Sequence, residues 1–277
     1  VGRADELRRM TDAAQGATGR GLIIGGTPGI GKSRLLRAVT SALDPARFAL
    51  ISAAGSAATA NLPLASLAAA LPGDQQAATS ALRWAIDAVQ RAGGGRPVVL
   101  AIDDTDLLDP LSATLVHHLA RARQATVIGT LRTGAPAPDP IRALWIDDLA
   151  DRVDLGPLTR ADTAALLENV LGGPVEPRSV DRLWNLATGN ALFLRELVLA
   201  ARAGGDLVEA YGVWRWTGRF ELTPTLADVV DNRIGQLEPD VRDVLELVAF
   251  GEPIGLPLLV KATDGAAAEL AEERGLI

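Results

Sequence analysis

The chain has 277 residues, 48% of them hydrophobic, which is enough to bury a sizeable core and to form more than one domain. Its net charge of −7 has the wrong sign for a protein that binds nucleic acid through overall charge. The lack of cysteine excludes disulfides and thiolate metal sites, and the adjacent His117 and His118 diverge on a helix and cannot share one metal ion. We identify no signal peptide and no membrane span, so we expect a cytoplasmic protein without membrane contact.

Short runs typical of β-strands alternate with helical patterns in the first part of the chain. Several runs are apolar on consecutive residues, as in strands that are buried on both faces of a parallel sheet. We predict strands at Leu22–Gly25, Phe48–Ala53, Val98–Asp103, Thr126–Leu131 and Arg152–Leu155, and helices at Lys32–Leu43, Ala77–Ala92 and Leu111–Ala122. This order predicts an α/β domain over residues 1–155, with right-handed crossovers and helices on both faces of the sheet.

Leucines at helical spacing replace the strand pattern after Leu155. Helices predicted at Thr159–Leu171, Ser179–Ala187 and Leu192–Ala203 form a small helical domain over residues 156–205, with Thr159 as an N-cap. Residues 206–277 form the third predicted domain.

The third domain combines a hairpin with a winged-helix-like unit. The alternation in VWRWTGRF and its central Gly218 predict a hairpin within Asp206–Leu222, where Trp214 and Trp216 share a face that covers the helical bundle. Helical patterns follow at Leu226–Leu237, Asp240–Phe250, Leu256–Thr263 and Ala266–Arg274. We expect a winged-helix-like unit that is truncated at its C-terminus, where a wing would begin.

One glycine-rich segment carries the strongest chemical signal. The sequence GGTPGIGKS contains G-x-x-x-x-G-K-[ST] from Gly26 to Ser33, between a predicted strand and a predicted helix. Gly29 and Gly31 allow backbone N–H groups to face phosphate oxygens, and the helix N-terminus favours the anion. Lys32 would contact the β- and γ-phosphates, and Ser33 would ligate Mg²⁺. The predicted phosphate-binding residues are Gly26, Thr27, Pro28, Gly29, Ile30, Gly31, Lys32, Ser33 and Arg34.

Two further strands end in charged residues. The strand in VVLAIDD ends at Asp103, which we predict as the carboxylate on the metal side, and the following Asp104 could orient or deprotonate the attacking water. The strand in TVIGTLR ends at Arg132, whose guanidinium could approach the γ-phosphate. A solvated loop carboxylate at Asp104 and a surface arginine at Arg132 would give the same pattern, so both alternatives stay open on spacing alone.

Four separated blocks resemble the STAND class of signal-transduction ATPases, and in particular the ATPase module of large ATP-binding LuxR-type transcriptional regulators. The N-terminal VGRADELRRM resembles the lead-in VGRE-x-EL, and DDTDLLDPLS resembles DD-x-x-W-x-D-x-x-S. The segment LATGNALFLREL resembles GNPLFLxEL. Residues 222–249, beginning LTPTLADVVDNRIGQL, resemble the block that follows in the family.

This resemblance implies roles that spacing alone does not supply. Val1 and Arg3 would lie near the adenine, Arg132 would be a sensor arginine, and the turn Gly189–Leu192, with Gly189 and Asn190, would close over the base. The implied domain order is a nucleotide-binding domain, a helical lid, a winged helix, helical repeats and often a DNA-binding domain. The chain would then be an N-terminal fragment whose sensor and output domains are missing.

The sequence departs from the family pattern at three positions. Ala191 replaces a proline that would contact the nucleotide, Leu107 replaces a tryptophan, and the acidic Asp106 precedes Leu107. Because the last two adjoin the predicted catalytic carboxylates, we expect hydrolysis to be slow or absent.

The leading hypothesis is therefore an ATP- and ADP-binding, magnesium-dependent molecular switch in a transcriptional regulator. The same module could instead control another output, such as an adenylate cyclase. A small-molecule kinase lacks a recognisable acceptor pocket, and a ring-forming AAA+-like ATPase would need an arginine finger, for which Arg123 and Arg195 are candidates. A nucleotide-dependent oligomer is compatible with this last hypothesis. We expect no direct DNA binding by this fragment, because the candidate recognition helix contains three glutamates.

Overall fold

The computed structural model describes residues 2–72, 80–218, 237–251, 254–273 and 276–277. Its internal contacts divide the chain into two compact units, Val1–Arg219 and Phe220–Ile277. The predicted nucleotide-binding domain and helical lid both fall in the first unit. The finer division of the chain at residues 155 and 205 stays a prediction.

A parallel sheet forms the centre of the first unit. Its strands are β1 (Gly21–Gly26), β2 (Ala49–Ala54), β3 (Val98–Asp103), β4 (Thr126–Arg132) and β5 (Ala150–Asp154). They lie in the order β2-β3-β4-β1-β5, and each neighbouring pair is parallel. The predicted α/β class is confirmed. Because β4 lies between β1 and β3, the ends of these three strands converge on one edge of the sheet.

Helices cover both faces of this sheet because its strands are apolar on both sides. The helices are α1 (Ala4–Ala14), α2 (Lys32–Ala42), α3 (Ala65–Ala68), α4 (Ala81–Gly93), α5 (Pro110–Arg121) and α6 (Asp139–Ile146). In β1, Leu22 and Ile24 pack in the core formed with α1 and α2, whereas Ile23 packs in the core formed with α3 to α6. Each fully buried aliphatic side chain contributes roughly 1.5–3 kcal/mol, so these two cores anchor the edge that carries the site.

The segment predicted as a helical lid, called the lid below, follows β5 and contains α7 (Arg160–Leu171), α8 (Pro177–Ala187) and α9 (Ala191–Ala203). The expected cap of α7 is present as a capping box: the Thr159 side chain accepts from the Asp162 N–H, and the Asp162 side chain accepts from the Thr159 N–H. The third helix begins at an asparagine, Asn190, whose Oδ1 accepts from the N–H groups of Leu192 and Phe193.

A hairpin closes the first unit, but its turn is not where the sequence pattern indicated. Strands β6 (Leu207–Ala210) and β7 (Val213–Trp216) are antiparallel, and their turn lies at Tyr211 and Gly212, which both have positive φ. The prediction of Gly218 as the central glycine is wrong, because Tyr211 itself adopts the left-handed conformation and Gly212 completes the turn. Trp216 is buried, and Arg182 of α8 lies 4.0 Å above its ring, so this tryptophan covers the bundle as expected.

The second unit contains α10 (Pro239–Gly251), α11 (Leu256–Ala262) and α12 (Gly265–Glu273) in its described part. They correspond to three of the four helical patterns near the end of the sequence, and they pack around Val244, Leu259 and Ala271. The fourth pattern, Leu226–Leu237, falls outside the described residues except for its last position. Among the described helices of the whole chain, none has the length and apolar character that a bilayer crossing requires.

Candidate functional site

The glycine-rich loop lies between the end of β1 and the start of α2. Gly26, Gly29 and Gly31 all have positive φ, at 155°, 78° and 109°. A side chain at these positions would strain the backbone, so the glycines of the motif are required by conformation. Gly31 is the N-cap of α2, whose positive end therefore begins at the loop. The loop has the shape that the sequence predicts for holding phosphate.

Lys32 is buried at the centre of this loop, with 6% of its surface exposed. Its Nζ donates to the carbonyl oxygen of Gly26 at 2.8 Å and to that of Thr27 at 3.1 Å. An ammonium has three donors, so one remains for a phosphate oxygen. Burial lowers the pKa of Lys32, and the nearby carboxylates of Asp104, Asp106 and Asp103 oppose this effect. A bound polyphosphate would add negative charge and favour the ammonium form further.

The other predicted binding residues differ in their exposure. The Ile30 side chain is buried and packs in the core beneath the loop, so only its backbone could contact a phosphate. Thr27 and Pro28 are exposed at the loop apex, and Arg34 is exposed on the first turn of α2.

The two residues that the sequence predicts as magnesium ligands, Ser33 and Asp103, are in contact. The Ser33 hydroxyl donates to Asp103 Oδ1 at 3.0 Å. In an octahedral magnesium site, two neighbouring oxygen ligands, each about 2.1 Å from the metal, lie about 3 Å apart. The two side chains therefore fit adjacent positions around Mg²⁺.

Thr130 is a site residue that the sequence analysis missed. It is fully buried on β4, its hydroxyl donates to Asp103 Oδ1 at 2.5 Å, and the same hydroxyl oxygen accepts from the Asp104 N–H at 2.8 Å. The hydroxyl thus fixes the orientation of the carboxylate at the end of the neighbouring strand. A polar residue within the apolar run TVIGTLR was the available signal, but only the pairing of β3 with β4 shows what it contacts.

Asp104 adopts a left-handed conformation, with φ of 50° and ψ of 59°, at the start of the short 3₁₀ turn Thr105–Leu107. Burial raises the pKa of Asp104, and the carboxylates of Asp103 and Asp106 raise it further. A raised pKa suits a group that accepts a proton. Its role as the residue that orients or deprotonates water stays a prediction.

Arg132 lies at the same edge of the sheet, because it is the β4 partner of Gly26 in β1. Its Nε donates to Asp106 Oδ2 at 2.7 Å, and the Asp106 side chain is 1% exposed. The arginine is therefore not a free surface cation. The sequence placed Asp106 near the carboxylates but did not show that it pairs with Arg132.

The lid reaches the glycine-rich loop directly. The Asn190 Nδ2 donates to the carbonyl oxygen of Pro28 at 2.9 Å, and the Leu192 N–H donates to that of Gly29 at 3.0 Å. Gly189, with φ of 70°, accepts from the Leu158 N–H and completes this turn. The turn predicted to close over a base thus contacts the phosphate-binding loop. Contact with a base stays a prediction.

Replacing Gly29 by alanine tests this contact. A Cβ at Gly29 would lie 2.7 Å from Asn190 Oδ1 and 2.9 Å from Leu192 Cβ, whereas one at Gly172, with a similar φ of 75°, would meet nothing within 4 Å. We expect Gly172→Ala to lower the free energy of unfolding by about 1 kcal/mol through backbone strain alone. Gly29→Ala should lower it by about 1–3 kcal/mol more through overpacking. Equal losses in denaturant unfolding would contradict the contact.

The structure does not show the other residues named in the sequence analysis in contact with the glycine-rich loop. Arg3 is near the junction of sheet and lid, where its Nη2 donates to the Gly156 carbonyl oxygen at 2.6 Å, and Val1 lies outside the described residues. Arg195 pairs with Glu196 on the exposed side of α9. Arg123 precedes β4 and therefore lies at the opposite edge of the sheet from the loop. His117 contacts Asp147, and the described residues contain no cluster that could hold a metal ion through His, Cys, Asp and Glu.

Comparisons with known proteins agree with this geometry. Residues 1–131 match the family model described as the AAA ATPase domain. No curated protein matches the chain.

Three of the solved structures that resemble this chain are the following. The Orc1 protein of Aeropyrum pernix, in complex with DNA, is 15% identical over 98% of this chain and 78% of that chain, with a TM-score of 0.54. The Holliday junction branch migration motor RuvB of Thermotoga maritima is 17% identical over 92% of this chain and 78% of that chain, with a TM-score of 0.50. A STAND protein with a tetratricopeptide repeat sensor from Pyrococcus horikoshii is 15% identical over 90% of this chain and 34% of that chain, with a TM-score of 0.46.

At these identities the solved structures show the fold alone. The sheet, its flanking helices and the loop from Gly26 to Ser33 have the P-loop NTPase fold, and the first 131 residues are similar to the AAA ATPase domain.

Proposed function

We propose that this chain is an ATP-binding molecular switch of the STAND type, in which bound ATP or ADP with Mg²⁺ sets the position of the helical lid. Lys32 and the loop N–H groups would hold the phosphates, and Ser33 with Asp103 would hold the metal ion. When bound, Mg²⁺ would neutralise charge on the β- and γ-phosphates. We further propose slow hydrolysis, because Asp106 and Leu107, which depart from the family pattern, adjoin the predicted catalytic carboxylates Asp103 and Asp104.

The contact between the lid and the phosphate-binding loop carries this proposal. Pro28 and Gly29 belong to the loop that would wrap the phosphates, and their carbonyl oxygens accept from Asn190 and Leu192 of the lid turn. Any nucleotide that shifts the loop backbone must also change these hydrogen bonds. A nucleotide can move such an equilibrium only by its differential affinity for the two states, and a change from 1:99 to 99:1 needs about 5.5 kcal/mol. Contacts that involve both loop and lid provide a source for that difference.

The assignment to a transcriptional regulator of the large ATP-binding LuxR type is a finer proposal. The four sequence blocks described above support it, because they occur in the order of that family. The nucleotide state would control signalling through sensor and output domains elsewhere in the same polypeptide. Alternatively, the same module would control an attached adenylate cyclase domain.

Amide hydrogen exchange at the start of α9 tests the switch. We expect the Leu192 and Phe193 amides to exchange at rates that differ about tenfold or more between ADP and a non-hydrolysable ATP analogue, each with Mg²⁺. This difference, taken as the ratio of the two exchange rates, should shrink in Asn190→Ala, which removes the hydrogen bond to Pro28 together with the cap on these two amides. Loss of the cap alone speeds exchange with both nucleotides and leaves the ratio unchanged. The ratio should persist in Asn185→Ala, which changes an exposed asparagine of α8.

The outcomes separate binding from switching. Identical exchange with both nucleotides, at concentrations that saturate the site, would leave nucleotide binding in place but end the switch proposal. If Asn190→Ala weakens nucleotide binding so that the site is no longer saturated, and the exchange difference returns at saturating nucleotide, the asparagine acts in binding alone.

A further inference from the structure

An ion pair at the end of β4 has a geometry that neither residue type predicts by itself. Asp106 accepts two hydrogen bonds from the same residue: Arg132 Nε donates to Oδ2 at 2.7 Å, and the Arg132 backbone N–H donates to Oδ1 at 3.2 Å. The carboxylate is 1% exposed and the arginine side chain 35% exposed. The buried acid therefore holds the guanidinium against the arginine's own backbone.

This arrangement uses only one of the three guanidinium nitrogens. Neither Nη1 nor Nη2 of Arg132 has a hydrogen-bonding partner among the residues that the structure describes. A guanidinium carries five N–H donors in a rigid fork, and the four donors on the Nη nitrogens match the oxygens of a phosphate. Since the Nε bond restricts rotation about the end of the side chain, the direction of these four donors is set in advance.

The ion pair also lies beside the phosphate-binding loop. Arg132 is the strand partner of Gly26, the first residue of the loop motif, and the next N–H along the chain, from Thr133, donates to the Gly26 carbonyl oxygen at 3.2 Å. Asp106 follows the metal-side Asp103 by three residues, within the turn that ends β3. The ion pair is thus adjacent to the glycine-rich loop and to the end of β3, the two elements that would hold a magnesium-bound triphosphate.

We propose that Asp106 is a positioning residue that holds Arg132 by Nε, so that the Nη nitrogens bind the terminal phosphate of ATP and the site prefers ATP over ADP. This inference rests on the proposed function, because it assumes that nucleotide occupies the loop. ADP lacks the γ-phosphate and would not gain from an oriented guanidinium. The preference is what a switch needs in order to distinguish its two nucleotide states.

A different role for Asp106 would follow from its charge alone. A buried carboxylate near the phosphates repels any nucleotide, so its neutralisation would tighten ATP and ADP together. That effect would not depend on Arg132, whereas positioning acts only through the arginine. Two measurements therefore separate repulsion by Asp106 from positioning of Arg132. One is the ratio of the affinities for ATP and ADP, and the other is a double-mutant cycle that combines changes at Asp106 and Arg132.

The experiment measures dissociation constants of ADP and of a non-hydrolysable ATP analogue, both with Mg²⁺, by calorimetry on the full chain. The variants are Asp106→Asn, Arg132→Ala and the double variant. The amide oxygen introduced by Asp106→Asn could still accept from the Arg132 backbone N–H, but the amide N–H groups cannot accept from Nε. We expect the preference for the ATP analogue to fall about tenfold in Asp106→Asn, and by at least as much in Arg132→Ala. The double variant should show no further loss beyond Arg132→Ala.

Arg132→Lys provides a second test that leaves the buried carboxylate unchanged. Lysine keeps the positive charge, but it has only one nitrogen. It cannot bond to Asp106 through one nitrogen and present two further nitrogens to a phosphate, as arginine can. The preference should fall in this variant as it does in Asp106→Asn. A preference retained in Arg132→Lys would overturn the proposal, and this variant decides the question if Asp106→Asn does not fold.

Three results would overturn the positioning role without affecting nucleotide binding. These are equal affinity of the unchanged chain for both nucleotides, a parallel shift of both affinities in Asp106→Asn, and an unchanged effect of Asp106→Asn when Arg132 is replaced by alanine. A chain that binds neither nucleotide would instead contradict the proposed function itself.

Discussion

Lys32→Ala should weaken the binding of ATP with Mg²⁺ by about a hundredfold, or about 2.7 kcal/mol. The lysine is the buried cation of the phosphate-binding loop, and its Nζ keeps one donor beyond those that bond to Gly26 and Thr27. Hydrogen bonds that involve a charged group contribute about 1.5–3 kcal/mol each. Removing the ammonium therefore deletes one such bond and its attraction to the neighbouring phosphates. Calorimetry of ATP-analogue binding measures the change.

The chain offers a matched control for this substitution. It contains only one other lysine, Lys261, which is exposed in α11 of the second unit. Lys261→Ala removes the same charge and side chain from the chain and should leave nucleotide affinity unchanged. An unaltered affinity in Lys32→Ala would end the nucleotide-binding hypothesis. Equal weakening by both substitutions would point to net charge in place of a specific site.

The second large effect is expected at Asp109, a residue that holds the site together without facing the nucleotide. Its side chain is fully buried, caps α5, and accepts from four donors. The donors are the N–H groups of Leu64, Ser66 and Ser112 and the hydroxyl of Ser112. Asp109 thus joins the turn after β3 to the segment around α3. The segment DDTDLLDPLS, which resembles a family block, contains this aspartate, but nothing in the sequence showed which groups donate hydrogen bonds to it.

Asp109→Ala should lower the free energy of unfolding by about 3 kcal/mol or more. A buried donor left without a partner costs about 1–3 kcal/mol, and the loss of an N-cap costs about 1 kcal/mol. Asp109→Asn keeps an acceptor at Oδ1 and the side-chain volume, so its loss should be smaller. Denaturant unfolding followed by circular dichroism measures both. A loss below about 1 kcal/mol in Asp109→Ala would show that the four donors find other partners.

The stability contributed by Asp109 should also depend on pH. Burial would raise the pKa of Asp109, but the hydrogen bonds from Ser112, Leu64 and Ser66 outweigh burial and hold the pKa below its usual value. The folded state therefore favours the carboxylate, and its stabilising effect is present above the unfolded pKa of about 3.9. It is lost as the pH falls through the lower pKa of the folded state. The difference in stability between the unchanged chain and Asp109→Ala should narrow in that acidic range and stay constant near neutral pH.

The sequence by itself determined the phosphate-binding loop and the class of the fold. Residues from Gly26 to Ser33 are contiguous, and their chemistry depends on backbone conformations that glycine allows locally. The apolar runs also identified the five strands to within about two residues. Asp103 could be placed near Ser33 because parallel strands end at the same edge of a sheet. The turn of the hairpin was misplaced, because Tyr211 adopts a conformation that its residue type seldom favours.

Only the tertiary structure decided which side chains contact each other at that edge. The insertion of β4 between β1 and β3 brings Thr130 to Asp103, and the 3₁₀ turn after β3 brings Asp106 to Arg132. The return of the lid to the loop brings Asn190 to Pro28 across 162 positions of sequence. Periodicity and motifs report on neighbours along the chain, whereas strand order and lid docking depend on how whole apolar faces pack together. Local sequence therefore specified the groups that would hold phosphate and metal, and packing specified the groups that orient them.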